Sequence, residues 1–196
     1  MLATENPGKL AELTALLAGL EVEVIAQGRL AVRPVPETGA TFEENALLKA
    51  RHAALTTGLP TVADDSGLEV DALAGAPGVH SARYAGPNGS DRDNNALLLA
   101  QLAGAPGPRT ARYRCVLAYL ADAEAEPVLC HGSWEGAIAT APRGAGGFGY
   151  DPLFLVAGDT QGRTAAELSP SEKNQVSHRA QALARLRSLL AQSRRA

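Results

Sequence analysis

Two adjacent carboxylates are the residues of this chain best suited to acid–base or metal chemistry. Asp64 and Asp65 follow an apolar stretch and precede Ser66 and Gly67. Neighbouring carboxylates repel each other, which raises the pKa of one of them unless a cation lies between them. Such a pair suits Mg²⁺, which binds carboxylate, water and phosphate oxygens. Adjacent strand residues point to opposite faces, so the pair converges only if the backbone turns near Gly67; otherwise the two aspartates are simple turn formers. Glu44 is a third candidate metal ligand, although a helix-capping role explains it equally well.

The stretch "TENPGK", residues 4–9, suits phosphate binding. It precedes leucines at helical spacing, so Asn6 is expected to cap a helix that begins at Pro7. Lys9 then lies in the first helical turn, where the partial positive charge of the helix end is unfavourable for a cation. Gly-Lys is half of a phosphate loop, but the upstream glycine and the following Ser/Thr are missing, which disfavours a P-loop NTPase. The free N–H groups and Lys9 still favour an anion site; the alternative is a capped helix with a solvated lysine.

A second cationic group lies near the C-terminus. His178 and Arg179 fall in the first turn of the expected last helix, and Lys173 lies just upstream. The chain has fifteen arginines and only three lysines, the others being Lys9 and Lys49. Because an ammonium and a guanidinium are not interchangeable, each lysine is a candidate for a specific role. Cations at two helix starts favour a shared polyanion, and a triphosphate with magnesium would satisfy the cationic and the acidic groups together. The alternative is two surface-charged helix starts.

The elements that must position these residues alternate between strand and helix, which predicts an α/β fold. Capping boxes at Thr41 and Ser90 begin two helices, and the last helix is expected to begin near Ser177. Strands are expected at residues 1–4, 21–27, 60–67, 68–73, 111–120, 127–141 and 153–156. Residues 111–120 and 127–141 are expected to form an antiparallel pair. The buried face of the last helix is expected to carry Ala180, Leu183, Leu186 and Leu190.

The composition restricts the classes of protein that remain. The net charge of −3 and the pI near 5.8 argue against a nucleic-acid binder or a protein of anionic membranes. No apolar run reaches the ~20 residues of a membrane span, and no signal peptide is recognised, so a cytoplasmic location is expected. Cys115 and Cys130 fall in strand-like stretches and are expected to be buried, reduced thiols.

Several motifs together resemble one enzyme family. They are "TENPGK", "TFEENALLKARHAA", "ADDSGLEVDALAGAPGVHSARYAG", "GFGYDPLF" and "EKNQVSHRAQAL". In this order they closely resemble the inosine triphosphate pyrophosphatases. The resemblance implies a mixed central β-sheet flanked by helices, two lobes with a substrate cleft, and a homodimer. It also implies Mg²⁺-dependent hydrolysis of ITP, dITP and XTP to the monophosphate and pyrophosphate, by a single domain spanning residues 1–196.

The resemblance also assigns roles to individual residues. Asp65 would be the proton acceptor that activates water, and it would hold magnesium with Glu44, while Asp64 either shares the metal or orients Asp65. Lys49 matches the family helix but receives no defined role. The substrate would be bound by Thr4, Glu5, Asn6, Pro7, Gly8, Lys9, Ser66, Phe148, Gly149, Tyr150, Asp151, Lys173, His178 and Arg179. Among these, residues 148–151 would form the base-side wall, with an aromatic ring stacked on the purine.

Selectivity has to come from the purine edge, since ATP and GTP are abundant. A buried site that pairs with a 6-oxo group leaves polar groups unsatisfied when a 6-amino group arrives, and this can cost several powers of ten in rate. The alternatives are a related pyrophosphatase for other modified nucleotides and a nucleotide sensor without turnover. Family members carry a few more apolar residues before the first motif, so a natural start slightly upstream of Met1 is expected.

Overall fold

The computed structural model describes residues 1–18, 22–105 and 108–193. Among these residues, one mixed five-stranded sheet has its strands in the order β1-β2-β3-β4-β5. The strands are β1 Leu2–Ala3, β2 Thr61–Val70, β3 Thr110–Leu120, β4 Val128–Ile138 and β5 Phe154–Val156. The helices are α1 Pro7–Leu17, α2 Phe42–Thr57, α3 Asp91–Leu102, α4 Pro170–Val176 and α5 His178–Ser193. The predicted α/β class and mixed sheet are therefore confirmed.

Strand directions follow from the registers. β1 runs parallel to β2, with Leu2 opposite Val62, and β4 runs antiparallel to β5. The amide of Ile138, at the end of β4, donates to the carbonyl of Arg109, just before β3, at 2.8 Å. Because β3 and β4 are neighbours in the sheet, this bond identifies the predicted antiparallel pair.

Side-chain caps begin the helices where the sequence predicts. Asn6 Oδ1 accepts from the amide of Lys9 at 3.0 Å, and Thr41 Oγ1 accepts from the amide of Glu44 at 3.1 Å. Ser90 and Asp93 form a reciprocal capping box at α3. These interactions are local in sequence, which is why the spacing of residue types predicts them.

Three strand predictions are wrong in part. The predicted strand at residues 21–27 is reduced to a single bridge between Ala26 and Leu2, followed by the short 3₁₀ helix Gln27–Leu30; Glu21 lies outside the described residues. Its pairing partner β1 is only two residues long, so a longer strand at 22–27 would have no partner along most of its length. The strands predicted at 60–67 and 68–73 are instead one continuous strand, β2, because no turn interrupts the backbone at Gly67; β2 ends at Val70, and the 3₁₀ helix Asp71–Leu73 follows it.

The chain forms two compact units. The first comprises the described residues of Met1–Asp65, Cys115–Gly132 and the chain from His178 onward. Its core includes Leu2, Leu13, Leu17, Cys115, Leu117, Cys130, Ala182, Leu183 and Leu186. On α5, Leu183 and Leu186 are buried as predicted, but Ala182 is buried where Ala180 was expected, and Leu190 is only partly covered. Both cysteines are free and buried, as predicted.

The second unit comprises Ser66–Arg114 and Ser133–Ser177. Its core contains the aromatic group Tyr113, Trp134 and Phe154, with ring centroids 4.6 to 6.2 Å apart. No helix among the described residues is long and apolar enough to span a membrane. The predicted cleft between two lobes stays a prediction.

Candidate active site

Asp64 and Asp65 do not converge. Because β2 runs through both residues without a turn, their side chains point to opposite faces of the strand. Asp64 forms an ion pair with Lys9 and accepts from Arg179 Nε at 3.1 Å. Asp65 Oδ1 instead accepts from Lys49 Nζ at 2.8 Å. The two carboxylates therefore have separate cationic partners, and their proximity does not itself create a shared metal site.

The Asp64 cluster is deeply buried. Arg179 is only 2% exposed, and it also pairs with Glu12 on α1. Cys115 Sγ, on β3, donates to Asp64 Oδ2 at 3.2 Å. Burial alone would raise the pKa of Asp64, but the charges of Lys9 and Arg179 outweigh it and hold this pKa far below its usual value. Burial and the Asp64 charge raise the pKa of the Cys115 thiol, which keeps it protonated and able to donate.

The Asp65 cluster lies nearer to solvent. Lys49 on α2 bridges Asp65 and Glu37, with both Nζ–O distances at 2.8 Å. Burial raises the pKa of Asp65 despite the opposing charges of Lys49 and Lys9. Burial would lower the pKa of Lys49, but the charges of Asp65 and Glu37 raise it. Asp65 Oδ2 is buried and has no hydrogen-bond partner within residues 1–18, 22–105 and 108–193.

The predicted phosphate-binding residues form one contiguous turn at the start of α1. Thr4 is buried and its Oγ1 accepts from the amide of Asn6 at 3.3 Å, while Glu5 is exposed. Lys9 lies in this first turn, and the ion pair with Asp64 offsets the unfavourable position of its charge. The helix end thus tolerates the lysine through a buried carboxylate from the sheet.

Glu44, the other predicted metal ligand, lies in the first turn of α2. Its Oε2 accepts from the amide of Ala40 at 2.6 Å rather than from that of Thr41, so the capping box predicted at Thr41 is formed only in part. Gly39 packs closely against this turn, because a Cβ there would lie 2.6 Å from the Cβ of Glu44. The structure brings together no group of three or more His, Cys, Asp or Glu side chains suited to a metal, in the part of the chain that it describes.

In the second unit, the glycine-rich loop before β5 is organised around Asp151. This carboxylate is 2% exposed and accepts from Lys173 Nζ at 2.5 Å, from the amide of Phe148 at 2.9 Å and from the hydroxyl of Tyr113 at 3.2 Å. At Gly147 the backbone has φ +72°, and a Cβ would lie 2.0 Å from Asp151 Oδ2. A residue with a side chain could therefore not follow this path.

The two aromatic residues of the loop differ in their availability. Tyr150 is buried, and its hydroxyl donates to the carbonyl of Ser81 at 2.8 Å. Phe148 is partly buried, and Lys173 Nζ lies 5.0 Å from its ring centroid, a cation–π distance. Of the predicted base-side wall, Phe148 is thus the ring suited to stacking, whereas Tyr150 and Asp151 hold the loop in place.

His178 and Arg179 begin α5, as predicted, but both are buried in the first unit. Gly132 on β4 allows this close approach, because a Cβ there would lie 1.9 Å from the carbonyl oxygen of His178. The guanidinium of Arg179 is directed to Asp64 and Glu12. Its contacts are therefore those of a buried ion pair, and they do not by themselves indicate the predicted contact with substrate.

Four partners were missed from the sequence. Glu12, Glu37 and Cys115 complete the clusters around Asp64 and Lys49, and Asn95 on α3 donates to the carbonyl of Gly149 at 2.8 Å. These contacts join residues far apart in the chain, so no spacing pattern reveals them. Only Asn95 gave a signal, since an asparagine inside a helix and next to apolar residues needs a specific partner.

Residues 1–189 match the model of the Ham1 family. The chain belongs to the Ham1 family. The dITP/XTP pyrophosphatase of Yersinia pestis is 57% identical over 185 residues, 93% of either chain. The dITP/XTP pyrophosphatase of Methylococcus capsulatus is 56% identical over 192 residues, 97% of this chain and 94% of its own.

Solved structures of Ham1 proteins share the fold. The HAM1 protein of Coxiella burnetii has a TM-score of 0.89 and 50% identity over 97% of both chains. The Staphylococcus aureus Ham1 protein has a TM-score of 0.86 and 39% identity, covering 98% of this chain and 97% of that one. These matches confirm the predicted resemblance to the inosine triphosphate pyrophosphatases. They also confirm the prediction that the chain is a nucleoside triphosphate pyrophosphatase.

Proposed function

We propose that this Ham1 family chain hydrolyses non-standard purine nucleoside triphosphates, among them ITP, dITP and XTP, to the monophosphate and pyrophosphate. The named activity of relatives 56–57% identical supports the reaction. We propose that residues 1–196 act as a single domain, in the cytoplasm and as a homodimer, as the family resemblance implies. Mg²⁺ is the proposed cofactor.

The unpartnered oxygen of Asp65 is the observation that carries this proposal. Lys49 fixes Oδ1, so Oδ2 is the oxygen left to accept a proton from the water that attacks the α-phosphorus. The pKa of Asp65 is raised by burial, which makes its carboxylate a better base than an exposed aspartate. A protein that only bound nucleotide would have no need of a positioned buried base.

The residues present fit a magnesium ion in part. The carboxylates of Asp65 and Glu44 are hard ligands of the kind that Mg²⁺ prefers, Glu44 through the oxygen that is not bonded to Ala40, and the ion usually retains several waters. Asp64 suits the metal less well, because Lys9, Arg179 and Cys115 already occupy its oxygens. When bound, the ion would supply charge neutralisation of the phosphate oxygens.

The turn at the start of α1 is the proposed phosphate site. Its backbone N–H groups and the helix dipole favour an anion, and Lys9 adds a full positive charge. Lys9 is paired with Asp64, so a phosphate has to share this ammonium with a buried carboxylate. In the second unit, Phe148 is the proposed stacking surface for the base, held by the Asp151–Lys173 ion pair.

A pyrophosphate-release assay with ITP, XTP, dITP, GTP, ATP and UTP, with Mg²⁺ or with EDTA, tests the proposal. We expect turnover of the first three and loss of turnover in EDTA. Asp65→Asn should lower kcat by roughly 10²–10⁴-fold, as for loss of a general base, while Asp122→Asn, at an exposed position, serves as the matched control. Near wild-type turnover of Asp65→Asn would refute the assignment, and binding without pyrophosphate release would support a sensor.

A further inference from the structure

Two side chains of α3 hold the glycine-rich loop at Gly149. Asp91 Oδ2 accepts from the amide of Gly149 at 2.6 Å, and Asn95 Nδ2 donates to the carbonyl of Gly149 at 2.8 Å. Asp91 and Asn95 are four positions apart, so they lie on the same face of the helix. Asn95 Nδ2 also donates to the carbonyl of Asp91 at 2.7 Å, which fixes the direction of its amide. One face of α3 therefore binds both the N–H and the C=O of Gly149.

These two hydrogen bonds restrain the residue of the loop with the greatest rotational freedom. The N–H of Gly149 belongs to the peptide group that it shares with Phe148, and its C=O belongs to the peptide group that it shares with Tyr150. Rotation about the backbone bonds of Gly149 changes the angle between these two groups, and glycine allows more rotation than any other residue. Here its φ is +62°. Fixing both peptide groups therefore holds Phe148 in one orientation relative to the buried Tyr150.

Apolar packing between α3 and the loop is incomplete. The two elements line a cavity of about 460 Å³, with Ala96 and Leu99 on the helix and Phe148 on the loop. Because this space separates them, the close packing that fixes elements in a protein interior is interrupted here. The hydrogen bonds from α3 therefore restrain the loop where packing does not.

The backbone of Phe148 is fixed on both sides. Asp151 accepts from the amide of Phe148 at 2.9 Å, which fixes the peptide group before this residue. Asp91 accepts from the amide of Gly149, which fixes the peptide group after it. Together these bonds set the direction in which the phenylalanine ring leaves the backbone.

We propose that Asp91 and Asn95 are positioning residues for the purine base, acting through Gly149 on the ring of Phe148. The inference rests on the proposed function and deepens it by naming residues that hold the base-side surface. A stacking ring that is already oriented lowers the cost of ordering the site when the nucleotide binds. The effect falls on binding of the base and not on hydrolysis, because neither side chain takes part in the proposed chemistry at the α-phosphorus.

The first test is the kinetics of ITP hydrolysis with Mg²⁺. Asp91→Ala removes the acceptor and should raise KM by roughly three- to tenfold with little change in kcat, as for loss of one hydrogen bond that acts on binding. Asp91→Asn keeps an oxygen acceptor and should restore most of the wild-type KM. Asp93→Ala is the matched control, because Asp93 caps the same helix through Ser90, and it should leave KM unchanged. An equal rise of KM in Asp91→Ala and Asp93→Ala, or a fall of kcat at unchanged KM, would overturn the inference.

Two further measurements do not depend on turnover. Titration calorimetry should show that Asp91→Ala weakens the binding of IMP, which carries the base, and leaves the binding of inorganic tripolyphosphate unchanged; equal weakening of both would contradict a role at the base. Amide hydrogen exchange at Phe148 should be faster in Asp91→Ala and in Asn95→Ala than in wild type, although Asp151 still accepts from this amide.

Unchanged exchange at Phe148 in both variants would overturn the inference, whatever the enzyme hydrolyses. Failure of the wild-type protein to release pyrophosphate from ITP would refute the proposed function instead. The exchange measurement then still decides whether Asp91 and Asn95 fix Phe148.

Discussion

Replacing Asp64 with asparagine should strongly destabilise the first unit. The variant leaves the guanidinium of Arg179, 2% exposed, without the carboxylate that lies 3.1 Å from its Nε. At an effective dielectric constant of about 20, a pair at this distance has a gross attraction of roughly 5 kcal/mol. Removing one partner of a buried pair costs about 3–5 kcal/mol. Glu12 still contacts Arg179, so we expect the lower end, about 3 kcal/mol.

Urea unfolding followed by circular dichroism measures this loss as a change in the free energy of unfolding. Asp71→Asn is the matched control, because Asp71 lies 2.9 Å from Arg112 but its side chain is 45% exposed. That exposed pair should contribute at most about 1 kcal/mol. A loss below about 1 kcal/mol in Asp64→Asn at pH 7 would refute the reasoning.

The pH dependence gives a second check on the same residue. The pKa of Asp64 is lowered in the folded protein, chiefly because Lys9 and Arg179 outweigh the effect of burial. Its contribution to stability is therefore complete above the unfolded pKa of 3.8 and is lost as the pH falls below that value. The difference between wild type and Asp64→Asn should narrow as the pH is lowered from 5 to 2.5, and a constant difference would contradict the ion-pair explanation.

Two further predictions concern other contacts of the first unit. The positive charge of Lys49 lowers the pKa of Asp65, so Lys49→Met should raise it, and the acidic limb of the plot of kcat/KM against pH should move upward by about one to three pH units. Lys49→Arg keeps the charge and should move this limb less. A limb that moves in neither variant would exclude Asp65 as the base. Gly132→Ala would place a Cβ 1.9 Å from the carbonyl oxygen of His178 and should cost about 1–3 kcal/mol of unfolding free energy. Gly104→Ala, with no atom within 4 Å of the added Cβ, should change it by no more than about 0.5 kcal/mol, and equal effects of the two would argue against the close approach of α5.

The local features of this protein follow from its sequence alone. Asn6 caps α1, Thr41 caps α2 and Ser90 caps α3, because each cap depends on residues within one turn of it. The sequence also indicated that the lysines have specific roles, since the chain has fifteen arginines and only three lysines. Their motifs were specific enough to identify the family.

Only the tertiary structure decided what those residues contact. Each lysine meets a buried aspartate distant in sequence, Lys9 with Asp64, Lys49 with Asp65 and Lys173 with Asp151. Asp64 and Asp65 do not converge, because β2 continues through both residues. The pairing of β2 with its neighbouring strands determines this extended path, and Gly67 does not introduce a turn. Spacing rules extend over one helical turn or one strand, whereas ion pairs across 12 to 167 residues form only when the sheet and helices assemble.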